Sequence, residues 1–311
     1  MTLELPPPGT RPTLYFIGVT TKSSSIRTVF PRWAEHLGLD AVLEGIDLPP
    51  HAPAADYRRV VEFLAADELG RGALVTTHKL DLFTACRDLF ARVDPLAELM
   101  HEVSCLSKAD GVVAHAKDPI SSGLAVDAIV PSGYWKSSDA EVFLMGAGGA
   151  AIAISWYLGQ SSRGADRPRR IVVSDRDPAR LAALERIHTG TDIPIETVAT
   201  AAPGDNDRVL AGLAPGSFVV NATGLGKDAP GSPLTDGAVF PRDAIAWDLN
   251  YRGELKFLDQ ARAAGHVRVH DGWVYFLHGW TQVIAEVFGI GIATEGPEFQ
   301  ALSDLASGAR R

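Results

Sequence analysis

The sequence predicts an α/β protein of two domains, and three observations carry that expectation. Short apolar runs alternate with stretches of helical spacing along most of the chain. One apolar run, VFLM at residues 142–145, passes straight into Gly146-Ala147-Gly148-Gly149-Ala150-Ala151 and then into a helical pattern. The chain has 311 residues, which at ordinary domain sizes corresponds to about two domains.

The elements follow in order. Residues 13–18 (TLYFIG) read as the first strand. Residues 25–37 have helical spacing, with Val29, Trp33 and His36 or Leu37 on one face, and Pro31 either kinks that helix or marks its first turn. Residues 40–48 read as the second strand, 57–67 as a helix and 72–76 as the third strand, and 80–89 and 91–99 read as helical. Residues 131–139, with Pro131, Ser132 and Gly133 at their start, are loop-like. After the strand at 142–145 come a helix at 152–158, a polar loop through 160–169 and a strand at 170–173 that ends at Ser174-Asp175. A helix at 178–187, strands at 217–221 and 244–249, a helix at 256–264, a strand at 267–270, a helix at 279–288 and a tail helix from Pro297 complete the series. Strands separated by helices predict a parallel sheet with right-handed crossovers. The expected domains are residues 1–125 and 126–274, with the helices of 275–311 returning to the first and a ligand cleft between the two.

Composition narrows the function. Hydrophobic residues make up 46% and charged residues 22%, with a mean hydropathy of +0.05, values that exclude a disordered or coiled-coil chain. The net charge of −9 argues against a nucleic-acid partner. No apolar run reaches the roughly 18 residues of a membrane span, and the proline-rich residues 1–12 lack the layout of a signal peptide. Two cysteines, Cys86 and Cys105, without metal-ligand spacing indicate a reducing, cytoplasmic setting. His266 and His270 flank an extended segment that would hold their rings roughly 13 Å apart, so no metal site is expected.

The Gly-rich turn matches the G-x-G-x-x-A form of the dinucleotide fingerprint in its proper context, strand before and helix after. Gly146 allows the tight turn, Gly148 lets backbone approach a pyrophosphate, and Ala151 permits close helix–strand packing. Ala147, Gly149 and Ala150 complete a helix N-terminus that offers N–H groups to phosphates. Asp175, 29 positions beyond Gly146 at the end of the next strand, suits a ribose hydroxyl and repels a 2′-phosphate, and the polar loop at 160–169 absorbs the extra length. This favours NAD, with NADP as the alternative, since Arg176 is placed to stack on adenine or pair with a 2′-phosphate. The competing role for Asp175 is a helix N-cap.

From these residues onward the chain resembles the shikimate dehydrogenase family. Gly146-Ala147-Gly148-Gly149-Ala150-Ala151 resembles that family's Gly-Ala-Gly-Gly-Ala-Ala loop. Asp175-Arg176-Asp177 stands near its Asn-Arg-Thr, and Asn221-Ala222-Thr223-Gly224-Leu225-Gly226 resembles its Asn-Ala-Thr-x-x-Gly. Asp248-Leu249-Asn250-Tyr251 resembles its Asp-x-x-Tyr, and Asp271-Gly272 followed by Gln282 resembles its Asp-Gly…Gln ending. The N-terminal third departs more. Ser23-Ser24-Ser25-Ile26 stands for Ser-x-Ser-Pro, with Val29-Phe30 where His-Asn would fall. The segment from Ala73 through Val75, Thr76, Thr77 and His78 to Lys79 stands for Asn-Val-Thr-x-Pro-x-Lys. Glu102-Val103-Ser104-Cys105 stands for Ala-Val-Asn-Thr, and Ala116-Lys117-Asp118 for Asn-Thr-Asp.

The resemblance implies an N-terminal α/β substrate-binding domain and a C-terminal Rossmann-type domain. It implies an NAD(P)-dependent oxidoreductase that interconverts a ring alcohol and ketone on a small cyclic hydroxy acid such as shikimate or quinate. Lys79 is the implied acid–base residue: an ammonium stabilises a developing alkoxide, although its free pKa of about 10.4 must fall for it to serve as a base. Asp118 orients it, while the adjacent Lys117 points elsewhere in an extended chain. Ser23, Ser25, Thr76, Ser104, Tyr251 and Gln282 are the implied substrate contacts. The competing role for Ser25 is a helix N-cap. Asn221, Ala222, Thr223 and Leu225 are implied on the dinucleotide side. His78 reads as a packed histidine, and Trp273, Tyr275, Phe276 and Trp280 as one aromatic cluster. The rival functions are a non-catalytic nucleotide and metabolite sensor, and a folate-type dehydrogenase.

Overall fold

A computed structural model describes residues 3–227 and 229–309; the ends of the expected domains at 1–2 and 310–311 lie outside them. Internal contacts divide the chain into two units, Met1–Asp118 with Gly279–Arg311, and Pro119–His278.

The first unit opens with β1 (Thr13–Gly18), α1 (Ile26–His36), β2 (Val42–Asp47), α2 (Ala54–Ala66), β3 (Gly70–Val75) and α3 (Lys79–Cys86). It continues with β4 (Arg92–Val93), α4 (Pro95–Met100), β5 (Cys105–Ala109) and β6 (Gly111–His115). Then α5 (Asp118–Ile129) starts on the unit's last residue before the boundary. Its sheet has the order β2-β1-β3-β5-β6-β4. β1 is buried along its whole length because parallel neighbours flank it on both sides. On α1 the buried residues are Ile26, Val29, Phe30, Trp33 and Ala34, an apolar stripe at helical spacing. Pro31 sits inside this helix on its exposed side, where water can serve the carbonyl that loses its donor.

Two expectations fail in this unit. Residues 91–99 are not one helix. Arg92 and Val93 pair with β6, and α4 begins only after Asp94, whose carboxylate accepts the Ala97 N–H at 2.8 Å ahead of Pro95. The sheet is also not wholly parallel. β5 runs antiparallel to β3 and to β6, and the β5–β6 hairpin turns at Asp110-Gly111. The region read as helical through residue 89 ends as α3 at Cys86 and a single 3-10 turn, Arg87–Leu89.

The second unit contains β7 (Val142–Met145), α6 (Gly149–Gly159), β8 (Ile171–Asp175), α7 (Pro178–Ile187), β9 (Ile195–Ala199) and α8 (Pro203–Ala211). It ends with β10 (Phe218–Asn221), β11 (Ile245–Asp248), α9 (Lys256–Ala263), β12 (Arg268–His270) and the start of α10 (Trp273–Phe288). α10 begins six residues before the expected start, and the loop at 131–139 includes the 3-10 turn Trp135–Ser137. The rest of α10 and α11 (Gly296–Ala306) belong to the first unit, where Trp33 Nε1 donates to the Leu302 carbonyl at 2.8 Å.

All six strands of the second sheet are parallel, in the order β12-β11-β10-β7-β8-β9. Counted from its own first strand this is the doubly wound order 3-2-1-4-5-6. Chain direction across the sheet reverses between β7 and β10, which pair in register from Val142 with Phe218 to Met145 with Asn221. Their carboxyl ends form the switch point where such sheets hold ligands. Among the described residues no helix is long and apolar enough to cross a membrane, and no group of three or more His, Cys, Asp or Glu side chains could hold a metal ion.

Candidate active site

In the first unit β3 ends at Val75, and the chain turns through Thr76 and Thr77 into the first residue of α3, Lys79. Thr77 takes a positive φ of 63°, a conformation rare outside glycine and one that marks a constrained turn. The constraint is met by the His78 N–H, which donates to the Thr76 carbonyl at 2.6 Å. The Lys79 ammonium donates to the Asp118 carboxylate at the start of α5. The two side chains are 21% and 10% exposed, so the pair is shielded from bulk water yet reachable. Two backbone ties hold the pair's supports. The Val103 N–H donates to the Lys79 carbonyl at 3.2 Å, and the Lys117 N–H donates to Ser104 Oγ at 2.7 Å.

Ser104 is buried, and its hydroxyl accepts from the Lys117 N–H. Lys117 turns away from this pair and bonds Glu286 on α10. His78 is fully buried, with Nδ1 3.0 Å from the Tyr57 hydroxyl, and burial lowers its pKa, so it is neutral near pH 7 and packed. Ser23 is exposed on the 3-10 turn Thr21–Ser23, where its Oγ donates to the Thr20 carbonyl at 3.0 Å. Ser25 is half-buried, and its side chain makes no capping bond to α1. Thr76 reaches the same end of β1: a Cβ built on Gly18 would lie 3.1 Å from the Thr76 methyl and 3.2 Å from that of Thr21. Gln282 is half-buried on α10.

In the second unit the Gly-rich turn follows β7. Gly146 has φ of +100°, and a Cβ there would lie 2.8 Å from the Ala222 carbonyl oxygen, so only glycine fits. Gly148 differs: a Cβ there meets nothing within 4 Å. It is the N-cap of α6 with no side chain to cap it, so the first N–H groups of Gly149 and Ala150 are left to a ligand or water.

Asp175 closes one side of this turn. Its Oδ2 accepts the Ala147 N–H at 2.7 Å, and its Oδ1 accepts the Asp177 N–H at 2.9 Å. Asp175 is not the cap of α7; Asp177 is, accepting the Ala179 N–H at 2.8 Å before Pro178. Arg176 is exposed beside it.

Asn221 closes the other side from beneath. It is fully buried, and its amide donates to the Leu225 carbonyl and to Asp248, each at 3.1 Å, while its Oδ1 accepts from the Thr223 hydroxyl at 2.7 Å. Asn221 thus shapes the turn that presents half-buried Ala222 and Leu225 and exposed Thr223. Burial pushes the Asp248 carboxyl up to about 6, against the lowering effect of the Asn250 N–H and the Asn221 and Asn250 amides. Asn250 also donates to the Leu225 carbonyl at 3.1 Å, a support the sequence reading missed.

The four aromatic residues expected as one cluster find separate partners. Trp273 and Phe276 stack at 5.0 Å with Tyr251 against both, Tyr275 meets Trp247 edge-on at 5.9 Å, and Trp280 meets Phe16 at 5.0 Å. Glu102 was also missed. It lies buried next to Lys79 and Asp118, and its one sequence signal is a charge at the head of an apolar run.

No family model matches the chain. The shikimate dehydrogenase (NADP(+)) of Methylocella silvestris is 28% identical over 286 residues, covering 89% of this chain and 90% of its own. That of Methanothrix thermoacetophila is 31% identical over 204 residues, 65% of this chain and 66% of its own. Among solved structures, the quinate dehydrogenase of Corynebacterium glutamicum in complex with NAD is similar over 96% of this chain and 99% of that one, with a TM-score of 0.74 at 21% identity, a likeness of fold. Sequence similarity along nearly the whole length, the shared fold and the ordered motifs agree, and the chain belongs to the shikimate dehydrogenase family.

Proposed function

We propose that the chain is a nicotinamide-dinucleotide-dependent oxidoreductase that interconverts a ring alcohol and a ketone on a small cyclic hydroxy acid, shikimate and quinate being the first to try. The observation that carries this is the shielded Lys79–Asp118 pair in a chain that also holds an open Gly-rich turn at its switch point. The bound dinucleotide supplies hydride acceptance or donation. The chain's own residues do the rest. The space over Gly148 and the N-terminus of α6 receive the phosphates. Lys79 holds or takes the proton at the substrate oxygen, and Asp118 fixes the direction of the ammonium. The hydroxyls of Ser23, Ser25 and Thr76 suit a substrate carboxylate, with Tyr251 and Gln282 as further hydrogen-bonding groups. The first unit in this scheme serves the substrate and the second the dinucleotide.

Mixing the purified protein with NAD or NADP and shikimate or quinate, while following the reduced-nicotinamide absorbance, tests the proposal. Turnover of either acid supports it. Tight dinucleotide binding without turnover of any cyclic hydroxy acid contradicts it.

Within this proposal the dinucleotide is NAD in preference to NADP, although the named relatives use NADP(+). A 2′-phosphate would approach the Asp175 carboxylate, and like charges about 4 Å apart near a surface repel by about 4 kcal/mol before salt screening. Arg176 offsets part of that. Asp175 also steadies the turn through Ala147, so its removal weakens both nucleotides, and the ratio of affinities is the quantity to read. Wild type is expected to bind NAD more tightly than NADP, and Asp175→Asn to narrow the gap in titrations. Equal or tighter NADP binding by wild type contradicts the preference.

A further inference from the structure

Glu102 is 3% exposed, and its Oε1 is buried with no hydrogen-bond partner among the described residues. It directly precedes Val103 and Ser104, the two residues bonded to the Lys79 carbonyl and the Lys117 N–H. Those two bonds hold the backbone that carries Glu102 beside the start of α3 and the residue before α5. We propose that Glu102 is a positioning residue for the Lys79–Asp118 pair, a second carboxyl whose own proton decides how firmly Lys79 holds its proton. The proposal rests on Lys79 and Asp118 being the proton-handling residues.

The charged groups that act on Glu102 are Asp118 from α5 and Lys79 from α3. An ionised Glu102 would be a second buried carboxylate beside Asp118, which burial disfavours. The group that avoids this at least cost is Glu102. Its Oε1 lacks a donor, and an unpartnered oxygen is less costly on a neutral acid than on a carboxylate. Burial first, then the Asp118 charge, raises its pKa to about 8, with Lys79 acting in the opposite direction.

While it is protonated, Glu102 adds no charge beside the Lys79–Asp118 pair. Once ionised, it is a second carboxylate acting on the ammonium, which then holds its proton more firmly. In alcohol oxidation the hydride leaves the carbinol carbon for the dinucleotide, and the hydroxyl proton passes to the neutral Lys79 amine; reduction reverses both transfers. A firmly held ammonium slows the oxidative direction.

Labelling of Lys79 by acetic anhydride across alkaline pH, read by peptide mass, tests this without any substrate. Glu102→Gln keeps the shape and mimics the neutral acid. Lys79 in Glu102→Gln is expected to label roughly tenfold faster than in wild type at a fixed alkaline pH, the lower end of what a neighbouring charge does to acidity. Superimposable labelling curves for the two folded proteins overturn the proposal. If Glu102→Gln does not fold, 13C resonances of labelled glutamate carboxyls in wild type decide it. A resonance titrating above the usual carboxylate range supports the proposal, and the absence of any such resonance overturns it. Because neither readout needs turnover, failure here and failure to find an alcohol substrate are distinguishable.

Discussion

Lys79→Ala is expected to lower kcat by about 10²–10⁴-fold on whichever cyclic hydroxy acid is turned over, the usual size of a lost acid–base contribution. The dinucleotide Kd is expected to stay unchanged, because Lys79 and the Gly-rich turn lie in different units. Lys79 is the first residue of α3, at the positive end of the helix, and Asp118 is the balancing negative charge. Asp118→Asn keeps the shape and removes that charge, so it is expected to impair turnover too. If the two act as a unit, the double variant is little worse than Lys79→Ala alone. Steady-state kinetics on the four proteins check this. Near-wild-type kcat in Lys79→Ala removes the lysine from the chemistry, and losses that multiply mean that the two residues act separately.

Gly148→Val is expected to abolish dinucleotide binding while leaving the fold intact. The contrast with Gly146 gives the reason. A side chain at Gly146 would collide with the Ala222 carbonyl and would sit at a positive φ, so its replacement disturbs the turn itself. At Gly148 a Cβ has open space, and the backbone is extended, with φ of −80°. Valine there fits the protein but occupies the space through which backbone approaches a pyrophosphate. Calorimetric titration with NAD and NADP, beside a thermal melt of the same protein, checks both halves. Unchanged affinity in a folded Gly148→Val protein means that the turn serves structure alone.

How much of this was legible in the sequence follows from burial. Strands packed on both faces, such as β1, β7 and β8, are continuous apolar runs and stand out to within a residue. α7 is legible because Pro178 opens it and its pattern is regular. The β5–β6 hairpin was not. Ser107 and Lys108 break its apolar pattern, and its pairing with β3 depends on residues more than thirty positions away. The same limit applies to the sites. Glycines at a strand–helix turn are recognisable locally, and so is an acidic residue such as Asp175 at a strand end. That Asp177 rather than Asp175 caps α7, or that the Ser104 hydroxyl is engaged by the Lys117 N–H, depends on hydrogen bonds that the folded chain selects. Glu102 is the clearest case. Nothing local buries a glutamate; the folded chain buries it within reach of the charges of Lys79 and Asp118.

The central claim is that hydride passes between a cyclic hydroxy acid and the dinucleotide on this chain. Incubation of the protein with oxidised dinucleotide and shikimate or quinate carrying deuterium on the reacting alcohol carbon tests it directly, with mass analysis of the reduced nicotinamide. Deuterium on the nicotinamide in wild type, and its near-absence with Lys79→Ala under the same conditions, is the expected result. Dinucleotide bound to a folded protein that acquires no deuterium from either acid would contradict the claim.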